Sequence, residues 1–474
     1  MSEKNFENNE EFCNNTTNSV GPCIPRTRQQ EYDFVSHSYE GTGGYKTGNY
    51  LFPFGREDDH AGRKKQVFYR NYIKGVADSL ITPVFSTPAA RVVEPENDMV
   101  SAFFENVDNK GTKIQDFTKQ DVHNGRLNAN CFAVVDTFPL ELLDQNSEKY
   151  NIENRLFPYA YIKKASSVYD FGKDDFGKLI EISFFDEWKI ESDGKKTAIY
   201  KQWTETFSQQ FVLENDATKP GKKKKTFIGE PAMHNLGVLP IAQTNTTDTG
   251  EVLPASPYYD LCRLNLTIFN QDSEQRVNER NCAFTMLVVP GSKDTELDVG
   301  SSSVLWVDEN GSQKPEWIAP PADILELLGN RSNVNIGSLL EQANTMGATA
   351  VETGAAAKSG VALGYEFLGQ NYSLKETAGY ANNFEMALMK IFKLYTKQTF
   401  EYKVVYSDNY APSMKDLLER KTAITDLLDI IGISDEFRAQ LEMDLIGVMA
   451  IINQYDDEVV ANLKEAIIVD SSEI

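Results

Sequence analysis

Apolar residues in the second half of the chain recur at spacings of three and four, whereas those of residues 158–245 fall in short alternating runs. The pattern predicts long helices that follow a β-rich block. The first long helix is predicted in SPYYDLCRLNLTIFNQDSEQRVNERNCAF. Ser256 suits the N-cap and Pro257 the first helical position, and Asp260 lies in the first turn, where a carboxylate favours the positive end of the dipole. Tyr258, Leu261, Leu264 and Ile268 form its apolar stripe, with Asp260, Arg263, Asn270 and Asp272 outside. From Gln271 to Arg280 the residues are polar and of mixed charge. This half reads either as a surface helix with a charged face or as a helix packed against copies of itself, with charges pairing between neighbours.

A second helix is predicted from Ala322 or Asp323 to Met346 through Ile324, Leu327, Leu328, Val334, Ile336, Leu339 and Leu340. Gly329 and Gly337 weaken it, so a kink or break is expected between Gly329 and Asn335. A third runs from Leu368 to Tyr395, with Leu374, Ala378, Ala381, Phe384, Leu388, Ile391 and Leu394 on one stripe. Between the first two helices, Met286–Val289 and Val304–Val307 read as strands, with Gly291 and Gly300 as breakers. Trp306 and Trp317 in this insert are either core anchors or contacts between subunits. Between the last two helices lies TAVETGAAAKSGVALG. Its small residues allow the backbone to change conformation, which suits a hinge or a loop lining a passage.

Ahead of these helices, RKKQVFYRNYIKGVADSLITPVF (Arg63 to Phe85) carries Val67, Tyr69, Tyr72, Ile73, Val76 and Leu80 at helical spacing up to the Pro83 breaker. Helical segments are also predicted at Glu94–Phe104 and Ile114–Asn124, and a buried strand at Cys131–Phe138. Short β-type runs at Tyr159–Ile162, Leu179–Phe185, Thr197–Thr206 and Gln210–Leu213 predict an antiparallel meander anchored by Trp188 and Trp203. Lys222–Lys225 reads as a hairpin tip or loop, solvated or touching nucleic acid, and Gly237–Ile241 as a strand leading to the first long helix. After the third helix, Phe400–Tyr406 is β-like, and two helices are predicted at Ser413–Ile431 and Ser434–Ile452. Residues 1–30, rich in Asn, Glu and Thr, read as a mobile arm, and the final VDSSEI as disordered.

Composition narrows the function. The 474 residues are 41% apolar, enough for roughly two to four domains or subdomains. No stretch approaches the ~20 apolar residues that span a bilayer, and the polar start is unlike a signal peptide. Cys13, Cys23, Cys131, Cys262 and Cys282 are scattered, and His37, His60, His123 and His234 lack metal-ligand spacing. No metal or cofactor is expected. The net charge of −23 argues against a tight nucleic-acid binder, but not against a ring that encircles DNA without gripping it. YEGTGGYKTGNY is no phosphate loop, since Tyr45 stands where the glycine before the lysine belongs. Acidic pairs such as Asp58-Asp59 and Asp456-Asp457 are not gathered by any catalytic motif.

The order of RNYIKGVADSLITPVF, GVLPI before the first long helix, KSGVALGYEF, and LKETAGYANNFEMALMKIFKLY resembles that of the portal proteins of tailed bacteriophages, in the SPP1-type group, across most of residues 50–410. No single motif is diagnostic; order and spacing carry the resemblance. It implies an α+β, portal-like protomer: arm 1–30, α/β wing 31–255, stem helix 256–283, small α/β clip 284–320, stem helix 321–346, tunnel loop 347–364, long wing helix and return strand 365–407, and helical crown 408–474. The crown has fifteen acidic and five basic residues, a net charge of −10, and would repel packed DNA. In the tunnel loop the resemblance points to Glu352, Thr353, Gly354, the three alanines Ala355, Ala356 and Ala357, then Lys358, Ser359 and Gly360 as facing DNA. Trp306 and Trp317 would lie in the clip interface.

The implied function is a non-enzymatic ring, twelve-fold in the virion, at one capsid vertex through which double-stranded DNA enters and leaves without sequence recognition. The implied partners are copies of the chain, the major capsid protein and scaffold, the terminase during packaging, and head–tail adaptor or tail proteins. Assembly would take place in the host cytoplasm, with no membrane involved. The alternatives are another virion structural protein, such as a head–tail adaptor or minor capsid protein, and more remotely an enzyme acting on nucleic acid.

Overall fold

A computed structural model of the chain describes residues 27–53, 57, 59–138, 148–190, 194, 196–215, 223–247, 250–283, 286–290, 304–307, 316–318, 323–346, 360–407, 414–428, 438, 441–446 and 448–449. The fold is mixed α+β. In its first third it runs α1 (Arg28–Glu40), α2 (Gly44–Thr47), α3 (His60–Lys64), α4 (Tyr72–Ser79), β1 (Ala90–Glu94), α5 (Asp98–Glu105), α6 (Ile114–Asn128) and β2 (Asn130–Asp136). A β-rich block follows: α7 (Glu148–Glu153), β3 (Tyr159–Lys164), β4 (Val168–Lys173), β5 (Leu179–Ile190), β6 (Lys196–Thr204), β7 (Phe207–Asn215), β8 (Lys223–Met233) and β9 (Ile241–Asn245). The remainder comprises α8 (Tyr259–Ala283), β10 (Met286–Pro290), β11 (Val304–Val307), β12 (Glu316–Ile318), α9 (Asp323–Thr345), α10 (Gly360–Thr396), β13 (Glu401–Val405) and α11 (Met414–Leu428).

The meander is present with β4 and β8 added, but the first run of its sequence signal, Tyr159–Ile162, lies in β3 and belongs to another sheet. Strands β4 to β8 form one five-stranded sheet in chain order, every neighbour antiparallel. Its inner face, with Ile182, Phe184 and Trp203, packs on Phe132 and Val134 of β2, the central strand of a separate β3-β2-β9 sheet. Trp203 is buried as predicted. Trp188 is 45% exposed near the end of β5, so it does not anchor the packed face. Of the predicted hairpin tip, Lys222 lies outside the described residues, and Lys223–Lys225 already belong to β8, paired with the end of β7. The residues before Ile241 are non-regular, and the strand predicted from Gly237 begins only at Ile241.

The single helix predicted across Arg63–Phe85 is divided. Residues 65–71 leave the helical path, and the Asn71 side chain caps α4 by accepting from the Lys74 N–H at 2.9 Å. Tyr69 in this gap donates its hydroxyl to the Ser38 carbonyl and stacks on Tyr45, contacts that continuous helix would forfeit. The predicted Glu94–Phe104 helix starts later, at Asp98, because Ala90–Glu94 is strand paired with β13 and Asn97 caps the helix. Helix α1 has no counterpart among the predicted helices, and its Thr27/Gln30 capping box lies within the segment expected to be a mobile arm. The rest of that expectation concerns residues 1–26, outside the described set.

Two buried carboxylates organise the other side of the molecule. Glu385 of α10 is fully buried and receives Arg91 of β1 through Nε at 3.0 Å and Nη2 at 2.8 Å, with further bonds from Thr118, Tyr402 and Tyr406. Burial opposes the Arg91 charge, yet hydrogen bonds and attraction from Glu385 raise its pKa above the ordinary arginine value. The carboxylate therefore ties β1, α6, α10 and β13 together. Asp121 of α6 is also fully buried, and burial pushes its carboxyl up to about 7 against hydrogen bonds from Thr244 and Cys131.

Replacing Glu385 by Ala leaves Arg91 without its counter-charge in the interior and is expected to cost about 3–5 kcal/mol. Chemical denaturation monitored by circular dichroism reads that loss, and an unchanged midpoint would remove Glu385 from its role as a tie. Asp121 binds a proton more readily in the folded chain than at its ordinary value of 3.8, so its contribution to stability falls as pH rises from there through about 7. The melting temperature of Asp121→Asn should therefore shift in the variant's favour, relative to wild type, from about pH 5 to about pH 8. A difference independent of pH would contradict this titration.

Candidate functional site

The candidate site is a helical hairpin with a small sheet at its turn, followed by the long α10. The first half of α8 is held by an aromatic core. Tyr258, Leu261, Cys262, Leu266, Ile268 and Phe269 are buried with Phe34, Tyr45, Tyr50 and Ile73. Each fully buried large apolar side chain contributes about 1.5–3 kcal/mol. The glycine-rich stretch before Tyr50 serves this core. A Cβ at Gly44 would stand 2.3 Å from the Tyr50 ring, and one at Gly43 would stand 2.5 Å from His37, so only glycine admits both rings.

The helix starts at Tyr259, two residues later than Pro257, after a turn in which the Ser256 hydroxyl accepts from the Tyr258 N–H and donates to the Leu127 carbonyl. Asn270 and Asp272, placed outside the apolar stripe by spacing, are buried. Asn270 accepts from the Phe52 N–H at 2.8 Å and donates to the Tyr50 carbonyl at 3.1 Å, fastening residues 50–52 to the helix. Asp272 lies 3.0 Å from Arg70; burial raises its pKa, while Arg70 and Arg276 oppose the rise.

Helix α9 runs back along α8. Leu339 and Ala343 enter the same core, and Asn335 donates to Gln271 at 2.8 Å. Leu339 and Ala343, late in α9, share the core of Leu261 and Leu266, early in α8, while Asn335 reaches Gln271 further on, so the numbers fall along one helix as they rise along the other, and the pair is antiparallel. The break expected near Gly329–Asn335 is absent: α9 is unbroken from Asp323 to Thr345. Packing of its second half and the Asn335 bond outweigh the roughly 1 kcal/mol helix penalty of each glycine.

Between the ends of the hairpin lies the sheet β11-β10-β12, with β10 parallel to β11 and antiparallel to β12. Its register sets Trp306 opposite Val289 and Trp317 opposite Leu287, two positions apart on the central strand. The two predicted interface positions thus belong to one small sheet. Of the other predicted site residues, Glu352 to Ser359 lie outside the described set. Gly360 is the first residue of α10, so the helix begins five residues earlier than the predicted loop boundary, residues 347–364, allows.

Helix α10, at 37 residues, is about 55 Å long. Leu374, Ala378, Ala381, Phe384, Leu388 and Ile391 are buried as predicted, while Leu394 is exposed and Phe392 takes the interior position. Its later turns cross β9, α6 and β13, so the end that emerges from residues 347–359 is carried by a helix with a fixed base. Glu385 and Arg91 were missed as a pair. Spacing gave a signal, because Glu385 lies four residues after Ala381 and three before Leu388, on the stripe itself.

Among the described residues no group of three His, Cys, Asp or Glu side chains is placed to hold a metal ion, and no helix is long and apolar enough to cross a membrane. No family model and no curated protein matches the chain. Among solved structures, a chain from the "Neck of empty GTA particle computed with C6 symmetry" is similar over 82% of this chain and 94% of its own, at 9% identity and a TM-score of 0.37. A likeness at that level assigns neither family nor role.

Proposed function

We propose that the chain is a virion head-to-tail connector of the portal kind, in the SPP1-type group. Copies would form a ring at one capsid vertex through which double-stranded DNA is packaged and ejected. The observation that carries the proposal is the order of parts: α8, the small sheet, antiparallel α9, and then the anchored α10 reached through the small-residue segment. That order supports a two-helix stem with a clip at its turn, and a loop at the head of a rigid helix. A closed ring turns two different surfaces of one chain into a repeated interface and encloses a channel, so the mechanism is geometric. The net charge of −23 suits walls that repel DNA rather than grip it. In this reading Glu352 to Gly360 face the DNA, Lys358 touches phosphates in passing, Trp306 and Trp317 lie between subunits, and ATP hydrolysis belongs to the terminase. Capsid, scaffold and adaptor proteins dock on the outside.

End-on class averages of the purified full-length chain by electron microscopy test the ring. About a dozen subunits around an open channel are expected; a compact monomer or dimer at every salt concentration would count against the proposal. Lys358→Glu should assemble as the wild type does yet change the amount of DNA packaged, and unchanged filling would remove Lys358 from the channel's work.

A further inference from the structure

Two surfaces of the chain carry opposite charge. Residues 63–74, RKKQVFYRNYIK, contain five basic residues and no acidic one in a chain whose net charge is −23. The segment lies beside the second half of α8, where the Arg280 guanidinium bonds to Gln66 and the Arg276 guanidinium sits 5.0 Å from the Phe68 ring. Phe68 is 54% exposed, with Lys65, Arg276 and Arg280 exposed around it. This is an exposed apolar side chain flanked by cations, with Glu279 the exposed carboxylate between Arg276 and Arg280 in sequence, and it is built on the core that holds the hairpin.

The second surface is built on the core around Glu385. Strands β1 and β13 pair antiparallel as a two-stranded ribbon. Arg91, Val93, Tyr402 and Val404 alternate towards the interior, so Ala90, Val92, Glu94, Glu401, Lys403 and Val405 form one outer face, all of it exposed. Val92 and Val405 are 47% and 60% exposed and nothing among the described residues covers them. At the far end Glu94 stands directly opposite Glu401, a like-charge pair that is destabilising by itself. Exposed Glu96 and Asp98 add to it, and residues 94–109 hold five acidic residues and no basic one.

Resting on the ring reading, we propose that these surfaces are the two sides of the contact between successive copies: the Phe68–Arg276–Arg280–Lys65 surface of one copy docks on the β1–β13 ribbon of the next. Phe68 meets Val92 and Val405, and the cations meet Glu94, Glu96, Asp98 and Glu401. A repeated head-to-tail interface requires two distinct surfaces that fit each other, and here each supplies what the other lacks, apolar to apolar and cation to carboxylate. The same pairing relieves the Glu94–Glu401 repulsion. Nucleic acid is the rival occupant of the basic surface, but it would leave the exposed valines of the ribbon uncovered.

Charge reversal tests the pairing. Lys65→Glu with Arg276→Glu and Arg280→Glu reverses one side, and Glu94→Lys with Glu96→Lys and Asp98→Lys reverses the other. Sedimentation velocity and electron microscopy of the full chain read assembly, and circular dichroism reads folding. Each single-sided variant should stay folded and lose the oligomer at concentrations where the wild type forms it. The chain with both sides reversed, or an equal mixture of the two variants, should regain it. A wild-type ring that persists in both single-sided variants overturns the inference and leaves the ring reading standing. So does a basic-side variant that keeps the ring but no longer binds a short DNA duplex, as does failure of both restorations when the single-sided variants are folded. A wild-type chain that stays monomeric at every salt concentration overturns the ring reading, and the inference falls with it.

Discussion

Packing of α8 into the aromatic core gives the hairpin its direction, and the placement of the rest depends on it. Tyr45, Tyr50, Phe34 and Phe269 meet edge to face and stacked around one stretch of helix. Leu339 and Ala343 of α9 join from the other side. With both helices set in that core, the small sheet at their turn stands at the far end of a stiff pair. A loosened core would leave β10–β12 without a defined position, whatever the quality of the strands themselves.

The long α10 provides the second fixed direction. Its apolar stripe alone would allow it to slide along the sheet and α6, since apolar contacts are non-directional. The bidentate Arg91–Glu385 pair and the two tyrosine hydroxyls on the same carboxylate set the register between helix and ribbon. The head of the helix, and the Gly360 end of the small-residue segment, are thereby referred to a rigid base. A polar cluster of this kind specifies position at a cost in desolvation, which apolar side chains would not incur.

Much of the architecture was legible in residue pattern. The 3.6 period marked α8, α9 and α10, and the two-residue period marked the meander, because long amphipathic elements average over local exceptions. Exceptions arose where one tertiary contact outweighed local propensity. Asn270 and Asp272 are polar by type but buried by what they bind. Residues 65–71 abandon a helical pattern to place Tyr69, and α9 continues through two glycines because its later turns are packed. The pairing of β1 with β13 spans about 300 residues of chain and left no local signal. Of the candidate site, the order of parts and the strand position of Trp306 were readable, whereas the three-residue β12 that carries Trp317 and the start of α10 at Gly360 were not, since GVALG is as compatible with a loop as with a first helical turn.

The central claim is that α10 brings the small-residue segment of every copy to a common axis. Cross-linking at position 360 measures this directly. In the variant Gly360→Cys, with Cys13, Cys23 and Cys282 replaced by serine and the buried Cys131 and Cys262 kept, a short bis-maleimide is added to the assembled chain. If the proposed ring brings the heads of α10 from neighbouring copies together, a ladder of covalent oligomers that climbs to the full ring is expected. Assembled rings that yield only monomer after cross-linking would place those helix ends apart from one another and contradict the channel.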